Sequence, residues 1–196
     1  IKIPGGHLMQ ANNIDKAGLS SFFASMMNDD TKNRSSEDFS KELEKLGSNI
    51  SVSSGTDGIT FQVSSLKKNL DATLVLLEDR MLNPKFTEDA FSRIKRQSLE
   101  SFKQTKSQPA AIASSVFDKL NYGKDNILGI SQRGTEETVK TFTLQDVENY
   151  YANNISSQGT NVVVVGDLTE GEIVPKLSFL NKLPNKKVEI PAVKAT

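Results

Sequence analysis

The chain has no cysteine and no tryptophan, and one histidine in 196 residues. Without thiols there is no disulfide framework, no thiolate metal site and no cysteine nucleophile. That absence names no compartment, because reducing and oxidising ones both hold Cys-free proteins. With His7 as the sole imidazole, any Ser-His-Asp arrangement must use it, and a zinc site has one His at most. An excess of one charge is missing too. Lys+Arg and Asp+Glu are both 24, so no global field favours nucleic acid, an anionic membrane or an acidic substrate. No apolar run is long enough to span a bilayer, and Ile1 opens no signal peptide. The chain starts at Ile rather than Met, and upstream sequence is expected.

What is present is an alternation of strand and helix signals without a low-complexity linker. The length suits one domain, or one and a fraction, with a real core. "IKIPGG" reads as a strand end broken by Pro4 and two glycines. A first helix is predicted from Asp15 to Asn28. A second follows the cap Ser35-Ser36-Glu37-Asp38 and stops near Gly47. "NISVSSG" and "GITFQVSS" alternate around Thr56-Asp57-Gly58 as strand, turn and strand. A third helix over "KKNLDATLVLLEDRML" carries Leu70, Leu74, Leu77 and Met81 on one stripe and ends before Asn83-Pro84. A fourth starts after Thr87, with Phe91, Ile94, Leu99 and Phe102 inward, and Pro109 opens another that runs to Tyr122-Gly123. Thr143 to Asp146 is a capping box before "VENYYANN", and "TNVVVVGDL" reads as a fully buried strand. Locally paired strands with segregated helices predict an α+β fold, a mainly antiparallel sheet with helices on one face. Residues 1–183 form the domain, and the Pro- and Lys-rich residues 184–196 are read as a linker toward a following one.

Isolated motifs favour bland readings. His7, after a Gly-Gly break, is expected at a surface or strand end rather than in catalysis. "VVVVGDL" lacks the glycine patterns of a nucleotide site. "RIKRQ" with Lys103 and Lys106 reads as a solvated helix face balanced by Glu88, Asp89 and Glu100, without the aromatic platform of a nucleic-acid surface. Met26-Met27 reads as core. One stretch resists this treatment. In "GLSSFFASMMNDDT" an apolar helix face leaves Ser21 and Ser25 four residues apart on another, with Ala24 just before the second.

The order of pieces supplies a reason. "AGLSSFFASMM", "LEKLGSNISV", "LNPKF", "FSRIKRQ" and, much later, "NVVVVGDLT" together resemble the pitrilysin/insulinase family of zinc metallopeptidases, the inverzincins, over nearly the whole chain. Active members carry His-x-x-Glu-His on the first helix. The two His bind zinc from one face, and the Glu is the base for metal-bound water. The resemblance places the first His at Ser21, the Glu at Ala24, the second His at Ser25, and the third ligand, a Glu on a later helix, at Ser101. These four are degenerate positions: no metal ligand and no catalytic residue remains, and substrate-binding residues are not assigned.

The resemblance implies one half of a pitrilysin-type clamshell, similar to the second, non-catalytic half of a fused bacterial zinc protease, with strands upstream of Ile1 completing the sheet. The implied function is a domain inactive by itself, without cofactor, that closes a peptide chamber and helps bind peptide. Its partners are then peptide substrates and an active half, of the same or another chain, that holds the zinc; the parent protein is a zinc metallopeptidase. The alternative is a structural or assembly subunit like the non-proteolytic family members. A hydrolase built on Ser and His7 is the third reading. Fused bacterial relatives favour the periplasm over the cytoplasm as the compartment.

Overall fold

The structure, a computed structural model, describes residues 1–105 and 107–193. Lys106, counted above among the helix-four cations, and the last three residues of the tail lie outside the described residues. The elements run β1 (Lys2–Pro4), α1 (Leu19–Met27), α2 (Ser36–Leu46), β2 (Asn49–Ser54), β3 (Gly58–Ser64), α3 (Leu70–Leu82), α4 (Glu88–Thr105), α5 (Pro109–Tyr122), α6 (Glu136–Lys140), α7 (Leu144–Asn154) and α8 (Glu170–Ile173). Short 3-10 turns at His7–Gln10, Ile14–Lys16, Lys67–Asn69, Ile127–Gly129 and Pro175–Lys182 join them. The α+β class follows, with an antiparallel sheet ordered β1-β3-β2.

Register keeps one sheet face dry. Ile3 pairs with Ile59 and Val52 with Phe61, and all four are buried, while Gln62, next along β3, is exposed. Against that face lies α1, whose residues Phe22, Phe23, Met26 and Met27 are all buried. Phe22 meets Phe91 and Phe142 edge-on at 5.2 and 5.6 Å between ring centres, and Phe23 meets Tyr150 at 4.6 Å. Helix ends obey local chemistry. Ser35 Oγ accepts from Asp38 N at 3.1 Å to open α2. The capping box of α7 is complete, with Thr143 N donating to Asp146 Oδ2 at 2.8 Å and Asp146 N to Thr143 Oγ1 at 3.2 Å.

Two sequence expectations are corrected here. The first helix begins at Leu19, not Asp15, because Gly18 adopts φ 92° and residues 14–16 form a separate 3-10 turn. The second correction is larger. "NVVVVGD" is neither a strand nor buried among the described residues. Asn161 makes a single antiparallel bridge to Lys2, and the valines that follow join no ladder. Their alternation survives in exposure: Val163 and Val165 are 80% and 93% exposed, Val162 and Val164 38% and 45%, and the run borders a cavity of about 220 Å³ shared with Ile1, Phe61 and Leu74. Four consecutive β-branched residues announce strand propensity, but burial requires neighbours that the sequence pattern alone does not supply. Among the described residues, 184–193 form no regular element. Ser156 Oγ donates to Pro184 O at 2.9 Å and accepts from Lys186 N at 3.1 Å, which holds residues 184–186 against the end of α7.

A charged staple fixes the loop before α2. Asp79, buried on α3, accepts from Thr31 Oγ1 at 2.7 Å, Arg34 Nη1 at 2.9 Å, Asn83 Nδ2 at 3.2 Å and Asn33 Nδ2. Burial raises its pKa, but these four hydrogen bonds outweigh burial and hold the carboxyl below the ordinary Asp value. Its contribution to stability is therefore complete above the unfolded value, about 3.9, and is lost as pH falls through the lower folded one. We expect Asp79→Asn to destabilise the fold by about 3 kcal/mol at neutral pH and to flatten the acid limb of stability in urea titrations. On the valine segment, Val163→Lys with Val165→Lys should change the melting free energy by less than about 0.5 kcal/mol while lowering concentration-dependent light scattering.

Candidate functional site

Three faces of α1 are enclosed by protein and one strip is not. Ser21 is half-buried, Ser25 and Asn28 are exposed, and Ala24 is buried beside them. Asn28 is spent on the sheet: its amide donates to Val52 O at 2.7 Å and accepts from Val52 N at 2.9 Å, capping the free edge of β2. Ser25 Oγ donates back to Ser21 O, one turn earlier, at 3.1 Å. Ser21 Oγ donates to the carbonyl of Gln132 at 2.7 Å. From α4, Ser101 Oγ accepts from Arg133 Nη2. Ser21 and Ser101, 80 residues apart in sequence, thus hold adjacent residues of one loop, and the segment 131–134 crosses between the two helices.

Glycines permit that crossing. Gly134 (φ 77°) lies so close to Ala17 that a Cβ would stand 2.3 Å from its carbonyl oxygen, and a Cβ on Gly18 would stand 2.5 Å from Arg133 O. Any side chain at either position strains the backbone and collides with backbone atoms. Thr138 Oγ1 adds a hydrogen bond to Ala17 O at 2.8 Å. The loop is clamped on the start of α1.

The residues at these positions do not fit a metal. Zinc takes thiolate, imidazole or carboxylate ligands, whereas Ser21, Ser25 and Ser101 present neutral hydroxyls and Ala24 a methyl group that takes no proton. Among the described residues no group of three His, Cys, Asp or Glu side chains comes together to hold a metal ion. The nearby carboxylate of Asp29 is engaged by Arg93. Around them a polar cleft of about 630 Å³ is lined by Ser25, Asp29, Arg93, Gln97, Ser98 and Arg133, among others.

His7 is elsewhere and, contrary to expectation, is not at the surface: it is 2% exposed. Its Nε2 lies 2.8 Å from Ile127 O and 3.0 Å from Ile130 O. Two carbonyl neighbours assign the proton to Nε2, and Nδ1 has no partner. The ring ties down the turn after α5, and its hydrogen bonds among the described residues go to no serine and no carboxylate. Sequence reasoning passed over Gln132, Arg133 and Gly134 altogether. They belong to no motif, and the glycine of "QRGT" was their only punctuation.

Comparison with known proteins now bears on this geometry. The model of the insulinase family, peptidase family M16, matches residues 1–126. The chain belongs to the insulinase family. It is similar to the Helicobacter pylori protein named non-peptidase homolog YmxG, 27% identical over 184 residues, which are 93% of this chain and 42% of that protein. A crystal structure of a peptidase M16 inactive domain from Pseudomonas fluorescens superposes with a TM-score of 0.84 at 22% identity, over 97% of this chain and 47% of the other. A protease structure from Helicobacter pylori gives 0.81 at 20%, over 97% and 46%. The insulinase-family chain therefore spans less than half the length of these relatives, and their likeness in structure establishes its fold.

Because Ser21 contributes one neutral hydrogen bond to the loop, Ser21→Ala should cost about 1 kcal/mol. Amide exchange should quicken at 131–134 and stay unchanged in the sheet.

Proposed function

We propose that this insulinase-family domain is catalytically silent, contacts peptide, and closes a chamber against a zinc-bearing half carried on the same or another chain. The observation that carries this reading is the turn Ser21-Ala24-Ser25 facing Ser101 with the 131–134 loop across it. Active family members need metal ligands and a base there, and this chain offers hydroxyls, a methyl group and an arginine. Similarity to a protein named non-peptidase homolog supports the silence. In this reading residues 1–183 are the domain and the tail from 184 leads to a further unit, while the parent protein is a zinc metallopeptidase.

The absence of ligands also bears on stability. A buried His or Glu stripped of its metal needs another partner, while a Ser hydroxyl is satisfied by a backbone carbonyl one turn away, as Ser25 is. The site can lose its metal without loss of fold.

Incubation of the purified chain with a fluorescein-labelled unstructured peptide tests the proposal, with anisotropy to follow binding, mass spectrometry to follow cleavage, and elemental analysis of zinc after dialysis. We expect binding, an intact peptide and no stoichiometric zinc. Hydrolysis abolished by a chelator or by His7→Ala would overturn the silence. Zinc retained by the wild type and lost from a Ser21→Ala/Ser25→Ala variant would do the same. A folded chain that binds no peptide would overturn the peptide contact and leave an assembly role.

A further inference from the structure

The sheet has two edges, and the chain treats them differently. β1 carries Lys2 and Pro4 and is bridged on its outer side by Asn161. Charge, proline and a covering segment each keep a strand edge from pairing with another chain. β2, at the other edge, has no charged residue and no proline in Asn49–Ser54. Its register to β3 runs from Asn49↔Ser64 to Ser54↔Ile59 without a bulge. An uninterrupted, uncharged edge of this kind is a template for a further strand.

One side chain interrupts the template. In an antiparallel ladder alternate residues turn both main-chain groups toward the same neighbour. Val52 turns its N–H and C=O away from β3, and Asn28 meets both. Asn28 Oδ1 accepts from Val52 N at 2.9 Å and Nδ2 donates to Val52 O at 2.7 Å. These are the two bonds that a residue of an adjoining strand would make. The other Nδ2 proton goes to Ala24 O at 2.9 Å, one turn back on α1, so the amide is anchored to the helix that presents it. With both protons and the carbonyl engaged, the group has a single orientation. Ile50 and Ser54, two residues to either side, turn the same way as Val52, and among the described residues their main chain makes no hydrogen bond on that side. Asn28 is exposed, so its bonds exchange for bonds to water and their loss should leave the domain folded.

We propose that Asn28 guards the β2 edge: its amide stands in for one residue of an added strand and keeps two copies of this chain from pairing β2 to β2. The symmetry of the edge selects a second copy as the excluded partner. A two-fold axis at Val52 sets the strand antiparallel to itself, with Val52 opposite Val52 and Ile50 opposite Ser54. No charged residue of either strand is brought against another. The paired Val52 residues would exchange the two bonds that Asn28 now holds, so guard and partner exclude each other. The inference does not depend on the peptide-contact reading, because it concerns association of the chain with itself.

The test is the oligomeric state of the 196-residue chain, followed by sedimentation velocity across a concentration series. Melting curves check that each variant is folded. Asn28→Ala should lower the concentration at which dimers form by roughly tenfold or more relative to the wild type. Asn28→Ser, whose shorter side chain cannot make both bonds to Val52, should act in the same direction and serves where the alanine variant does not fold. In the associating variant, amide exchange at Ile50, Val52 and Ser54 should slow as concentration rises, a change that mere loosening of the edge would not produce. Ser51→Lys with Ser53→Lys, added to Asn28→Ala, sets lysines opposite each other across the axis and should return association to the wild-type level. Folded Asn28 variants that associate no more than the wild type overturn the inference. So does association that survives the lysine pair or leaves those amides unprotected, since the contact then lies elsewhere. Wild-type dimers abolished by the lysine pair would overturn it as well, because β2 would then pair with Asn28 in place.

Discussion

Enclosure of α1 is the constraint on which the remaining architecture depends. A nine-residue helix is too short to stand alone in water, so its stability is tertiary. Phe22 reaches one aromatic set, Phe91 and Phe142, and Phe23 reaches another, Tyr150, Phe86 and Tyr151. Each buried Phe contributes roughly 1.5–3 kcal/mol, and together they lock α4, α6, α7 and the sheet around a single helix. Tyr150 closes the arrangement by accepting from Gly6 N at 3.1 Å, and burial pushes its phenol well above the ordinary pKa. Such a helix presents one strip to water, and the strip is Ser21, Ser25 and Asn28.

That strip plays no part in the packing of α1. The packing that positions it comes from the opposite faces of α1, and none of the apolar contacts passes through Ser21 or Ser25. What the two serines do instead is local: one closes on its own helix, the other on Gln132. The loop they help to hold is clamped independently by the close approaches at Gly18 and Gly134 and by Thr138. The cleft is therefore held by backbone packing and hydrogen bonds that need no metal. Charged groups in the same region are compensated inside the fold. Arg80 is buried, donates to Met27 O at 2.8 Å and lies over Phe39, and its pKa is pulled down to about 10 by burial against the pull of Asp29 and Asp79.

Where the sequence was legible, the cause was local. The Ser35 cap, the stop at Gly47, the hairpin around Asp57-Gly58, the stripe of Leu74, Leu77 and Met81, and the Thr143 box are each decided by residues within a few positions of one another. That Ser21 and Ser25 share one helix face was legible for the same reason, since their spacing is a local fact. What escaped was decided by distant partners. The valine run had strand propensity but lacks a ladder beyond Asn161. His7 looked like a strand-end residue because its two carbonyl acceptors lie 120 and 123 positions away. Arg133 carried no signal at all, because its meaning comes from Ser101 and Phe102 on a helix that is remote in sequence.

A guanidinium beside the site is not a weak substitute for zinc, and the difference decides what such a cleft can do. Zinc acts as a Lewis acid and lowers the pKa of its bound water toward neutrality, creating a nucleophile. Arginine stays protonated and only donates hydrogen bonds, so it recognises an anion that already exists. A hydrogen bond from such a group holds its partner as firmly in the ground state as in any later one. Binding that is uniform along the reaction path gives affinity without acceleration. With Ala24 unable to take a proton, α1 supplies no base at this position. Hydroxyls, a methyl group and a guanidinium at these positions can orient a polar group by hydrogen bonding, but they supply neither a metal ligand nor a base.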